Sequence, residues 1–75
     1  MELYRDVDGD SGVAAYERGP DFIRVAFTTG AIYLYTYASA GAQHIETMKQ
    51  LAASGDGLNA YINRWVRKGY AARER

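Results

Sequence analysis

The sequence predicts an α+β domain, a small antiparallel β-meander of about three strands packed against two C-terminal helices. Three observations predict it. Apolar residues alternate with period two between residues 13 and 37, then shift to helical spacing between 45 and 66. Gly19-Pro20-Asp21 and Thr28-Thr29-Gly30 punctuate the first half, and Gly55 and Gly69 punctuate the second. With 75 residues the chain is read as a single domain, 1–75.

Residues 1–10 are polar and expected to be loose, although Leu3 and Tyr4 are suited to pinning an extended segment to the body. Ser11 to Glu17 is a short, weakly alternating run, with Val13 and Ala15 on one side and Ala14 and Tyr16 on the other. After the Gly19-Pro20-Asp21 break, Ile23, Val25 and Phe27 alternate cleanly with Arg24 and Ala26. Ala31 to Tyr37 is rich in strand formers. The period then changes. Ser39 is a candidate N-cap for a helix whose stripe is Ile45, Met48 and Leu51/Ala52. Gly55 is placed to end it in a left-handed conformation. Asp56 is a candidate cap for a second helix with Leu58, Tyr61/Ile62 and Trp65/Val66 on one face. Gly69 closes that helix, with Arg67 and Lys68 beside the negative end of its dipole. Residues 71–75 are expected to fray.

Two hairpin registers are open, one residue apart. A two-residue loop Thr29-Gly30 sets Phe27 opposite Ile32 and turns Tyr33, Tyr35 and Tyr37 away from Val25. A type I turn over Thr28-Thr29, with Gly30 left-handed in a bulge, sets Val25 opposite Tyr33 and Ile23 opposite Tyr35. Threonine suits poorly the positive φ that a type I′ turn demands, which favours the bulge. Two helices cover one face of such a sheet, so the other face is left with either a tyrosine stripe or Ile32 and Leu34 beside Ala26. A homodimer, a protein partner, or residues 1–17 folding back would cover it.

Composition excludes several classes of function. Without cysteine there is no disulfide framework and no thiolate chemistry or metal site. No run approaches the roughly 18 apolar residues of a membrane span, and the acidic start is unlike a signal peptide, so a soluble cytoplasmic protein is expected. Net charge is zero but segregated. Residues 1–22 hold six acids against two arginines, while 59–75 hold five basic residues against Glu74 alone. Either an acidic partner is steered to the basic end, or the termini attract each other or stay solvated.

Asp6-Val7-Asp8-Gly9-Asp10-Ser11-Gly12-Val13-Ala14-Ala15-Tyr16-Glu17 spaces its carboxylates like an EF-hand loop. Ser11 stands where the loop needs glycine, and neither flanking helix has room, so a solvated turn is the expected role. His44 has no second nitrogen ligand to share a metal, Ser39 and Ser54 suit helix ends, and Gly55 and Gly57 lack a following Lys-Ser/Thr. No catalytic residue, metal site or cofactor is therefore expected. Seven tyrosines, Trp65 and the basic stretch from Arg64 contain the parts of a base-stacking platform, and Trp65 equally fits a core position on its helix.

Phe27-Thr28-Thr29-Gly30-Ala31-Ile32-Tyr33-Leu34-Tyr35, preceded by alternating Ile23 and Val25, resembles the KTSC family. That family is named for a domain at the C-terminus of some lysyl-tRNA synthetases, and it also includes small stand-alone bacterial proteins. Ser54-Gly55-Asp56-Gly57-Leu58-Asn59-Ala60-Tyr61-Ile62 resembles its serine-glycine, aromatic-asparagine and isoleucine signature. The likeness spans residues 11 to about 66. Ala38-Ser39 replaces a usual valine-proline, Leu58 a common aromatic and Asn63 a common arginine. The resemblance implies no established activity, and a link to RNA only through the synthetases.

A non-enzymatic binding or interaction module follows, dimeric or with another partner. Its expected working surface is the tyrosine strand and second helix: Tyr33, Tyr35, Asn59, Arg64, Arg67 and Lys68. The alternative is an RNA-binding accessory domain using Tyr33, Tyr35 and the basic residues of the last helix.

Overall fold

Alternating residues pair into a five-stranded antiparallel sheet in the computed structural model, which describes residues 1–7 and 12–75. The strands follow chain order: β1 (Glu2–Leu3), β2 (Val13–Arg18), β3 (Phe22–Phe27), β4 (Ile32–Thr36) and β5 (Ala72–Arg73). Three helices lie between β4 and β5: α1 (Tyr37–Ala40), α2 (Ala42–Ser54) and α3 (Leu58–Tyr61). The last of them widens into a π-helical turn over Ile62–Val66. The fold is thus the expected α+β meander, with two short strands added at its edges.

The hairpin takes the bulged register. Val25 faces Tyr33 and Ile23 faces Tyr35, Gly30 has φ +96°, and neither threonine of the turn has positive φ. Phe27 donates its amide to the Ala31 carbonyl at 2.8 Å and accepts from Gly30 at 2.9 Å, which closes the turn. Ile23, Val25, Tyr33 and Tyr35 therefore share the face that the helices cover. Ile45, Met48 and Ala52 of α2 and Leu58, Ile62 and Val66 of the last helix complete the core. Val13, Tyr16 and Tyr4 also join it. A second irregularity between Val13 and Ala15 keeps Val13 and Tyr16 both inward.

Several local expectations are corrected. Ser39 does not cap the helix that carries Ile45 and Met48: Gly41 stands at that N-cap, and Ser39 lies inside α1. There the capping Thr36 hydroxyl accepts from the Ser39 amide at 3.0 Å, and the Ser39 hydroxyl accepts from the Thr36 amide at 3.0 Å. The Ser39 hydroxyl also reaches the Gly69 carbonyl at 2.6 Å, tying α1 to the exit of the last helix. Asp56 caps nothing; Gly57 stands at the N-cap with φ +81°, and the Leu58 amide donates to the Tyr4 hydroxyl instead. Gly55 ends α2 as expected, at φ +78°. Trp65, expected on the core stripe, is 56% exposed.

Both ends pair with the sheet where they are described. Leu3 pairs with Ala15, and Glu2 accepts a hydrogen bond from the Tyr16 hydroxyl at 3.0 Å. Ala72 pairs with Leu34 and Arg73 with Tyr33, where a frayed tail was expected. On the uncovered face, Arg24 is bound by both Glu17 and Glu74, and its guanidinium lies over Phe22 at 5.2 Å. Glu2–Leu3 and Val13–Arg18 widen the sheet, Tyr4 enters the core and Val7 donates its amide to the Gly55 carbonyl at 2.8 Å, rather than the segment folding back over that face. Glu17, the last position of the EF-hand-like run, is thus engaged by Arg24. Asp8 to Ser11 lie outside the described residues.

Candidate ligand cleft

Three segments converge beside the hairpin tip. The turn contributes Phe27, Thr28 and Ala31, and β4 contributes Tyr33 and Tyr35. The last helix adds Asn59, Ile62 and Asn63, and the chain leaving it adds Arg67, Lys68 and Tyr70, with Gly12 at the lip. They line an open cleft of about 500 Å³. Small-molecule sites commonly span about 300–1,000 Å³, apolar in the main with a few converging polar groups. The lining has that character.

Register explains why the tyrosines are here. The bulge at Gly30 turns Tyr33 and Tyr35 under the helices. Tyr35 is fully buried, whereas Tyr33, nearer the tip, is partly buried. Tyr33 meets Tyr70 with ring centroids 4.7 Å apart and Phe27 edge-on at 5.6 Å. Arg73 lies 5.7 Å from the Tyr33 ring, a cation over an aromatic face. Ile62 and Asn63 open the π-helical turn, a feature frequent at functional sites. Asn63 donates weakly to the Asn59 side chain at 3.5 Å.

Two features of the cleft are unusual. The Tyr35 hydroxyl is buried without a hydrogen-bond partner, the one such side-chain atom among the described residues. Burial pushes its pKa well above the usual tyrosine value, with the neighbouring Tyr33 and Tyr70 adding to the shift. It is therefore a neutral O–H donor with nothing to donate to. Arg67 and Lys68 are the second feature: neither forms an ion pair among the described residues, and no carboxylate lines the cleft.

Five of the six expected site residues meet there: Tyr33, Tyr35, Asn59, Arg67 and Lys68. Arg64 does not; its guanidinium lies over the Trp65 ring at 5.3 Å. Tyr35 cannot serve as a stacking face, since its ring is wholly inside, and its hydroxyl is buried with it against the cleft. Sequence reading missed Tyr70, Phe27 and Asn63. An aromatic directly after the helix-ending Gly69 was the available signal for Tyr70.

His44 shares a 2.6 Å hydrogen bond with the Tyr61 hydroxyl and stacks 6.4 Å from Trp65. The Ser54 hydroxyl donates to the Leu51 carbonyl at 2.9 Å. None of His44, Ser39 or Ser54 lines the cleft. No group of three potential metal ligands occurs among the described residues, and no helix there is long and apolar enough to cross a membrane. Comparison with protein-family models, with curated proteins and with solved structures finds no match. The likeness to the KTSC family therefore rests on the short runs quoted above.

Proposed function

We propose that this protein is a small non-catalytic binding module whose working surface is the cleft between the hairpin tip and the last helix. One observation carries this: a fully buried hydroxyl without a partner lies in the lining of an open, aromatic-walled cleft. An unsatisfied buried donor costs about 1–3 kcal/mol, and a ligand acceptor removes that cost. The absence of cysteine suits a reducing compartment, so the cytoplasm is taken as the setting.

The test is chemical-shift mapping with a library of small aromatic and polar compounds. At least one compound class should move amides of 27–35, 59–63 and 67–70 together. Amides there that stay still across the whole library would contradict the proposal.

An RNA-binding role is favoured by a separate observation. Trp65 is exposed, Arg64 lies over it, and Arg67 and Lys68 follow on the same segment. Anisotropy titrations with single-stranded and transfer RNA across salt concentrations decide it: no binding at low salt removes this role.

A further inference from the structure

The chemistry of the cleft wall narrows the ligand, given that the cleft is the working surface as proposed above. We infer that it takes a planar aromatic or heteroaromatic anion, with a ring acceptor at the Tyr35 hydroxyl and the anionic group at Arg67 and Lys68. The ring lies against the Tyr33–Tyr70 pair.

Each part has its own observation. Tyr35 belongs to one core cluster with Ile23, Val25, Ile45, Met48 and Leu58, all fully buried and apolar. Phenylalanine would fill the same space without burying an unpartnered donor. A ligand acceptor is the group the site lacks, and sites with a buried polar group reject analogues that leave it unpaired. The walls are aromatic: Tyr33 and Tyr70 both line the cleft and pack at 4.7 Å, and Tyr70 stays 40% exposed. Arg67 and Lys68 supply positive charge with no carboxylate among the described residues to neutralise it. In contrast, Arg24 is held by two carboxylates, and Lys49 by Glu46 and the Pro20 carbonyl. Acceptor, ring and anion together describe a nucleoside monophosphate or an aromatic carboxylate.

Calorimetric titration of the intact protein separates these sources. The probes are nucleoside 5′-monophosphates beside their parent nucleosides, and benzoate and indole carboxylates beside their carboxamides. One anionic set should bind about tenfold or more tightly than its neutral counterpart. Arg67→Ala with Lys68→Ala should abolish that preference. Tyr35→Phe should weaken binding about tenfold or more without lowering the melting temperature. Neutral counterparts binding as well as the anions would overturn the inference, as would Tyr35→Phe binding like the parent. So would oligoribonucleotides binding where mononucleotides and carboxylates do not. If neutral compounds shift the cleft amides and no anion binds, the ligand class is wrong and the binding module stands. If nothing shifts them, both fall.

Discussion

Position 35 decides more than any other single residue. Its backbone register comes from a turn five residues earlier, where Gly30 accepts φ +96° that threonine does not. The ring then completes the core, and the hydroxyl is carried inside with it. A raised folded pKa has a definite consequence for stability. Below pH 10 the hydroxyl is neutral in both states and contributes no pH dependence. Above that, the unfolded chain releases the proton and the folded chain resists, so stability falls as pH rises. Tyr35→Phe should flatten the loss of stability between about pH 10 and 12, followed by denaturant unfolding at several pH values. Tyr16 and Tyr37 are also shifted upward, so some slope remains in the variant. A second residue-scale test concerns Gly55. It sits at φ +78°, and a Cβ there would lie 2.7 Å from that of Arg5. Gly55→Ala should cost about 2 kcal/mol, read from its denaturation midpoint.

Elements were legible in proportion to how local their causes are. The β3–β4 hairpin and α2 follow from periodicity and from glycines at turns, and both stand where the sequence puts them. The caps did not follow, because their partners are remote in sequence. Tyr4 meets the Leu58 amide across 54 positions, and the Ser39 hydroxyl meets Gly69 across 30. β5 escaped for the same reason. Two residues without alternation carry no strand signal, and their pairing depends on Leu34 and on Glu74 reaching Arg24. The site residues were chosen for their chemistry, and the register that the sequence left open decides that Tyr35 buries its ring. Glu74→Ala should loosen β5 specifically. Exchange at the Ala71 amide, bonded to Leu34, should quicken, and global stability should fall by under about 1 kcal/mol.

At the scale of the molecule, the sheet presents two unlike faces. One is buried under the helices. The other carries Phe22, Ala26, Ile32 and Leu34 around the Glu17–Arg24–Glu74 bridge. Apposing a second copy there would desolvate that bridge, and the two edge strands are only two residues long, which gives a neighbour little backbone to pair with. Sedimentation velocity at micromolar concentration should therefore give the mass of one chain; a dimer would show that the outer face outweighs its charges. The cleft remains the feature of this molecule that its own packing leaves incomplete. Its incompleteness is measurable without knowing the ligand. The unfolding free energy of ligand-free Tyr35→Phe should be no lower than that of the parent and higher by up to about 1 kcal/mol, since the variant loses only an unpartnered hydroxyl. A variant less stable than the parent by that amount would show that the hydroxyl is already satisfied within the chain, and would contradict the assignment of the cleft.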